Sequence, residues 1–269
     1  MAIITISREA FSGGEVLAQT VADRLGYPCV SRDRNLEEAA RTYGMPTHEL
    51  VTAMEQPPTL WERLVGDRAA YLTLVGAALC AQAQDGNLVY HGHLGHLLLP
   101  GIAHVIGLRV VADLPSRLAA ARQERSLGRE VAEADIQRID RKQRQWVRFL
   151  FGVEWEDARL YDLVLNLSRL GLPAACRLVE QLASSEKFQP TAVSQRAMRN
   201  LLAASQVRAL LARHPNTKEL SLQVEAVDGI VTITGTSHNH DVEAALASAL
   251  RDVKGVTEVR WRIRVVPVH

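Results

Sequence analysis

Ile3-Ile4-Thr5-Ile6-Ser7, then Arg8-Glu9-Ala10-Phe11-Ser12-Gly13-Gly14, then Glu15-Val16-Leu17-Ala18-Gln19-Thr20-Val21-Ala22-Asp23-Arg24-Leu25, is the stretch that decides the fold. The first run is short, apolar and β-branched, as a buried strand is. The last run repeats its apolar residues at helical spacing. Between them lies a loop with paired glycines. Strand, glycine-bearing loop and helix in that order is the setting in which backbone N–H groups and a helix N-terminus hold phosphates. A complete P-loop also carries a lysine for the outer phosphates and a Ser or Thr for Mg²⁺. Gly14 and Glu15 stand in those two places. The loop reads as a nucleotide site altered at the residues that supply its electrostatics.

Outward from this stretch, strand patterns recur at residues 2–7, 28–31, 88–91, 105–111 and 163–166. Helical patterns fall between them at 35–43, 69–84, 115–127 and 174–184. Such alternation predicts an α/β fold: a parallel sheet with helices on both faces and binding at the carboxyl ends of the strands. Residues 134–159 depart from the pattern, being crowded with Arg and Lys beside Trp146, Phe149, Phe151 and Trp155. They read as a mobile basic helix pair outside the core. Residues 184–190 read as a linker. Beyond it the order is helix 193–212, strand 220–227, strand 230–234, helix 241–252 and strand 256–266. Asp228-Gly229 between the first two strands is a hairpin signal. The expected division is therefore 1–183, a linker at 184–190, and a small α+β domain at 191–269 of about 80 residues, enough for one modest core.

Composition narrows the function. The 269 residues carry 31 Lys+Arg and 30 Asp+Glu, a formal net charge of +1, so no global field favours nucleic acid. Cys29, Cys80 and Cys176 are odd in number and far apart, which suits free thiols in a reducing compartment. No basic segment precedes an apolar one at the N-terminus, and the apolar run at 69–83 falls short of the roughly 20 residues of a membrane span. A cytoplasmic protein without a membrane span is expected.

Two blocks carry a resemblance. One is the run Ile4–Gly14 already quoted. The other begins at Asp140-Arg141-Lys142 and continues through Gly152, Trp155, Asp157, Tyr161-Asp162-Leu163, Leu165-Asn166, Ser168 and Leu170-Gly171. Together they resemble the cytidylate-kinase-like proteins, a branch of the nucleoside monophosphate kinases, over residues 1–183. The resemblance implies a P-loop kinase fold with a five-stranded parallel sheet. It also implies a monophosphate-binding insertion at 46–67, with Pro57-Pro58 and Trp61, and a basic lid at 134–159. The implied activity is phosphoryl transfer from ATP, with Mg²⁺, to CMP or dCMP. It sets Ser12, Gly13 and Gly14 against the ATP phosphates, with Glu15 beside them and Arg8 across the loop. It makes Arg141, Arg144 and Arg148 the catalytic cations of the lid, near Lys142. Arg32, Asp33 and His93 fall on the acceptor side.

Two family cations are missing. The branch has Gly-Gly-Arg-Glu where this chain has Gly13-Gly14-Glu15-Val16, and Gly-Arg where it has Gly92-His93. A carboxylate at Glu15 repels a triphosphate unless a cation lies between them. A catalytically degenerate nucleotide sensor or scaffold therefore stands as the alternative to a kinase.

Other residues have two readings each. His91, His93, His96 and His104 are clustered as metal ligands often are, yet no Cys or carboxylate adjoins them in sequence; no metal is assigned. Asp33 either meets the monophosphate or caps the following helix. Asp113 either approaches Mg²⁺ or caps the helix beginning at Pro115. Trp155 and Tyr161 read as packing residues, and Asp162 as a support for the lid.

The C-terminal region resembles a BON domain in 220–227, in Asp228-Gly229-Ile230-Val231-Thr232-Ile233-Thr234-Gly235, and in Gly255-Val256-Thr257-Glu258-Val259. BON domains are binding modules, so the resemblance implies a partner: a second copy of the chain, another protein or an anion. In the last strand Val259, Trp261, Ile263 and Val265 alternate with Arg260, Arg262 and Arg264. The arginine face suits an anion or an acidic partner, or simply a solvated face that resists edge pairing.

Overall fold

Apolar β-branched runs become strands and the amphipathic runs between them become helices. The computed structural model describes residues 1–44, 68–92, 94–217, 220, 222–237 and 242–265. The expected insertion at 46–67 and the candidate His93 lie outside the described residues. In chain order the elements are β1 (Ile3–Arg8), α1 (Gly14–Leu25), β2 (Cys29–Ser31), α2 (Arg32–Thr42), α3 (Arg68–Ala83), β3 (Leu88–His91) and α4 (Gly95–Leu98). There follow β4 (Val105–Val111), α5 (Leu114–Arg125), α6 (Arg129–Phe151), β5 (Leu163–Asn166), α7 (Leu167–Leu170) and α8 (Leu172–Ser184). The C-terminal part has α9 (Ala192–Arg213), β6 (Leu222–Val227), β7 (Ile230–Ser237), α10 (Val242–Arg251) and β8 (Glu258–Val265).

Among the described residues β1–β5 form one parallel sheet in the order β2-β3-β1-β4-β5. β1 is central, so the loop after it opens at the middle of the sheet's carboxyl edge. One core lies between the sheet and α1 and α8, around Ile4, Ile6, Leu17, Val21, Leu108, Val110, Leu165 and Val179. The core on the other face gathers Ile3, Leu79, Cys80, Leu88 and Tyr90, together with Met198 and Leu202 from α9. Cys29, Cys80 and Cys176 are all free thiols. Among the described residues no helix is long and apolar enough to cross a membrane.

Two expectations need correction. The basic stretch is a single 23-residue helix, α6, followed by a loop; its Trp146 (3% exposed) and the loop's Trp155 (1%) are core residues. Residues 184–190 are not a free tether. A short 3₁₀ turn, Glu186–Phe188, drives Phe188 (3% exposed) into the core beneath α8.

The second sheet is β6-β7-β8, with an antiparallel β6–β7 hairpin and a parallel β7–β8 pair. Asp228 and Gly229 both take positive φ, 51° and 83°, as the tight turn at Asp-Gly requires. The alternation in β8 holds as far as Ile263: Val259, Trp261 and Ile263 pack on the domain's core beside Val207, Leu211, Val224, Val231 and Leu246, while Val265 at the strand's end is exposed.

Candidate functional site

β1 delivers Arg8 to the carboxyl edge of the sheet, and the loop then turns back into α1. Gly13 makes the turn at φ 79°. No side chain caps α1, so the N–H groups of its first turn face the loop. A Cβ on Gly14 would lie 2.7 Å from Arg8 Cβ and 3.3 Å from Val110 Cβ. Glycine at 14 therefore lets the Arg8 stem cross the start of the helix. A lysine at that place has no room while Arg8 lies there. Arg8 Nη2 donates to Glu15 Oε2 at 3.1 Å, so the arginine meets the carboxylate that replaced the Ser/Thr. Phe11 holds positive φ (56°) with its ring under Arg125, whose guanidinium carbon is 5.0 Å from the ring centre.

The inner side of the loop is a closed ionic network. Glu9 accepts from Arg109 Nη2 (3.2 Å), Arg117 Nη1 (3.4 Å) and Ala112 N (3.4 Å). Arg117 donates from Nε to the Ala10 carbonyl (2.7 Å) and from Nη2 to Asp140 on α6. Asp140 Oδ1 in turn accepts from Ala10 N (3.1 Å), and Gln143 Nε2 donates to the Arg8 carbonyl (3.1 Å). Arg109 lies 4.4 Å over the Trp155 ring and donates to the Trp155 carbonyl at 2.6 Å. Trp155 Nε1 donates to Ser7 Oγ at 2.7 Å. The lid helix is thus bonded to the loop backbone.

The outer side is a cleft of about 520 Å³ between the loop, the start of α2, the end of β3 and α6. Arg8, Arg32, Arg125, Arg138 and Lys142 line it, with the carboxylates Glu15 and Asp33. Arg32 closes on Asp33 (2.7 Å), while Arg125 and Arg138 share Asp135. Among the described residues the lining holds five cations and two carboxylates, and four of the cations pair with Glu15, Asp33 or Asp135. A smaller adjoining hollow of about 240 Å³ is lined by Ser12, Gly13, Gly14 and Glu15.

The predicted residues divide accordingly. Arg8, Glu15, Arg32 and Asp33 line the cleft, and Ser12, Gly13 and Gly14 line the adjoining hollow. Arg141, Arg144 and Arg148 line neither; all three are exposed, Arg144 paired with Glu156 and Arg148 with Glu154 (both 3.4 Å). The lid cations that do line the cleft are Arg138 and Lys142, four residues apart and four before the buried Trp146. That i,i+4,i+8 row was the available signal, because a buried tryptophan marks the inward face of a helix. Arg125 and the network of Glu9, Arg109, Arg117 and Asp140 had no such local sign, apart from one arginine inside an otherwise apolar strand.

The histidines separate. His91 lies at the floor of the cleft; His96 packs edge-on against Tyr161 at 5.5 Å; His104 Nδ1 is 2.9 Å from Ser194 Oγ on α9. Burial holds all three below the usual histidine pKa. No three metal-binding side chains come together among the described residues. Ser31, not Asp33, caps α2 by accepting from Arg34 N. Asp113 caps α5 by accepting from Ser116 N. Asp162 ties the start of β5 to Gly107 of β4 (2.8 Å) and not to the lid.

The cations and the open turn of α1 fit the phosphates of a nucleotide. Among the described residues they do not make a Mg²⁺ site of the protein's own. Glu15 and Asp33 each close on an arginine, and Asp113 is committed to its cap.

Against known sequences, residues 3–169 match the model of the cytidylate kinase-like family, more than half of the chain. The chain belongs to the cytidylate kinase-like family. Residues 202–267 of this family member match the BON domain. It is similar to the cytidylate kinase of Pyrobaculum aerophilum, 29% identical over 182 residues that span 66% of this chain and 90% of that protein. The cytidylate kinase of Ignicoccus hospitalis is 27% identical over 184 residues, 68% of this chain and 99% of that protein. Among solved structures, an uncharacterized protein from Eubacterium ventriosum shares the fold, with a TM-score of 0.53 at 15% identity, covering 69% of this chain and all of that one.

Proposed function

We propose that this cytidylate kinase-like protein transfers the γ-phosphoryl group of ATP to a nucleoside monophosphate of the CMP or dCMP class. The observation that carries this reading is Arg8, whose stem crosses Gly14 and whose guanidinium meets Glu15 at the start of α1, a cation beside the loop that lacks its lysine. Ser12, Gly13, Gly14 and the first turn of α1 receive the ATP phosphates. Arg32, Asp33 and His93 hold the acceptor side. Arg138 and Lys142 face the transferring group from the lid; Arg141, Arg144 and Arg148 stay in solvent. An acceptor phosphate oxygen attacks the γ-phosphorus, the bond to the β–γ bridging oxygen breaks, and ADP leaves. Catalysis of this kind is positioning and charge neutralisation, which arginines supply. Mg²⁺ brought by the nucleotide would supply further neutralisation of phosphate charge. The protein works in the cytoplasm, and the BON domain, through the arginine face of β8, binds a second copy, a protein or an anion.

A coupled ADP-release assay with ATP, Mg²⁺ and each nucleoside monophosphate tests the reading. ADP release that depends on one monophosphate and is lost in Arg8→Ala supports it. Absence of release with every monophosphate refutes it.

One observation favours a second reading, a nucleotide sensor. Asp140 occupies the Ala10 N–H, a donor that a phosphate loop would offer its ligand, and clamps the lid through Arg117. A sensor binds ATP or CMP without releasing ADP and is stabilised as ligand concentration rises.

A further inference from the structure

Helix α9 carries Leu201, Ser205 and Arg208 at spacings of four and three residues, which sets them along one face. All three line a small cavity of about 200 Å³ between α9, α3, α4 and the end of α6. The facing walls are mainly apolar, with Leu72, Leu97, Leu98, Pro100 and Phe151. Arg208 is the only charged residue in the lining, and no carboxylate pairs with it among the described residues. This half-buried guanidinium makes two long hydrogen bonds, from Nε and Nη2 to the Val224 carbonyl at 3.4 and 3.3 Å. Cys80 lies near it, with Sγ 3.8 Å from Ser205 Oγ. Burial pushes that thiol up to about 11, so at neutral pH it carries no charge to answer the arginine. Burial likewise lowers the Arg208 pKa, with Cys80 alone pulling the other way. Charges drawn out of water are ordinarily paired, so a cation without a counter-ion against apolar walls needs a reason.

We propose that this cavity binds a short-chain aliphatic carboxylic acid, its carboxylate held by Arg208 and Ser205 and its tail against the apolar walls. The head of the ligand must accept hydrogen bonds. Guanidinium N–H groups only donate, and the Ser205 O–H reaches no acceptor among the described residues, since Ser205 Oγ is itself the acceptor of the Cys80 thiol. The head carries a single charge. One arginine without a second cation answers a carboxylate, whereas a phosphate monoester brings about 1.5 to 2 charges at neutral pH. The tail is short, because pockets for drug-sized ligands run to about 300–1,000 Å³ and this one is smaller.

The cavity exists only where the two halves meet. Ser205 and Arg208 lie beyond residues 3–169, in the stretch that matches the BON domain, while Leu72, Leu97 and Phe151 belong to the kinase-like half. It shares no lining residue with the cleft at Arg8 and Arg32. A bound acid therefore touches both halves, and Phe151 puts it at the foot of the lid helix α6. Gly76 on α3 helps to keep the space open. A Cβ there would lie 3.9 Å from Leu98 Cδ2, an ordinary contact, so a larger side chain at 76 would extend into the cavity. None of this depends on the kinase reading, and ADP release or its absence leaves the site as it is.

The test is calorimetric titration of acetate, butyrate, hexanoate, octanoate, 1-octanol and octyl phosphate into the full chain at pH 7.5, and into Arg208→Met and Gly76→Leu. The expected result is saturable binding of the longer acids, with affinity rising about fourfold per methylene until the tail fills the cavity. Arg208→Met should weaken octanoate by about tenfold or more, one charge-assisted hydrogen bond's worth, and 1-octanol should bind the wild type as weakly. Gly76→Leu should abolish binding of octanoate. In the wild type, nuclear Overhauser contacts between the octanoate chain and the Phe151 ring locate the ligand without any variant. No saturable binding of any acid, an Arg208→Met affinity within twofold of wild type, or 1-octanol binding as tightly as octanoate overturns the proposal. So does full displacement of octanoate by CMP or ATP, which would put the acid in the nucleotide cleft. Octyl phosphate binding more tightly than octanoate overturns the choice of a carboxylate head.

Discussion

The two sides of the loop at residues 8–14 use the same residue types to opposite ends. On the inner side Glu9, Arg109, Arg117 and Asp140 close on one another and on the loop backbone. On the outer side Arg8 and Arg32 pair singly with the exposed Glu15 and Asp33, and Arg8 Nε and His91 Nδ1 have no partner among the described residues. A saturated buried network fixes a shape, and breaking it leaves charges stranded. An unsaturated one is addressed to something that arrives later. The difference between scaffold and site here lies in how the charges are answered, by shared buried partners on one side and by single exposed ones on the other, not in which charges they are.

The largest expected effect tests the inner side. Arg117→Ala leaves Asp140 buried without its cation and Glu9 with Arg109 alone, and chemical denaturation should show a loss of about 3–5 kcal/mol. A loss below about 1 kcal/mol would mean that the network relaxes at little cost and that the two sides are not so different. Next comes the outer side. Arg8→Ala should weaken ATP binding by about tenfold or more, by titration, while changing unfolding little, because its carboxylate partner Glu15 is exposed. Gly14→Lys should not substitute for Arg8: the new side chain meets the Arg8 stem, so nucleotide affinity falls instead of rising.

A smaller effect comes from acid. His91, His96 and His104 have folded pKa values lowered by burial, so the unfolded chain takes up protons first as pH falls below about 6.5, and stability drops from there downward. Thermal unfolding at pH 7.5 and 5.0 reads this directly; a flat profile contradicts it. The smallest effect belongs to the solvent face of the lid. Arg144→Ala and Arg148→Ala remove exposed ion pairs and should shift stability by less than about 0.5 kcal/mol. Turnover falling by orders of magnitude in either one would show that α6 rotates on binding, and the cleft described above would then be only its resting form.

Much of the framework was legible. Strands β3, β4 and β5 have the bounds that their apolar runs predicted, because a doubly covered parallel sheet writes each strand as a continuous apolar segment. The lid was misread because its density of Arg and Lys hid the buried row at Trp146, Val147 and Leu150. The segment 184–190 was misread because one phenylalanine among polar residues gives no period, although Phe188 alone decides where that segment lies. At the site, residues on β1, α1 and the start of α2 could be named from local sequence. The Glu9–Arg109–Arg117–Asp140 network could not, since its members lie far apart in sequence and meet only through the register of β1 with β4 and the packing of α5 on α6.

Helix α9 runs unbroken from Ala192 to Arg213. Met198 and Leu202 near its beginning complete one core, Val207 and Leu211 near its end complete the other, and Arg213 reaches back to the Gly44 carbonyl at 3.2 Å. The two halves of this chain are therefore not interchangeable cassettes. A gene shortened to the kinase-like half would uncover Cys80 and Leu79, and one shortened to the BON half would carry half a helix with nothing to lie against. Exchanging either half would therefore call for a new rod that fits both cores at once.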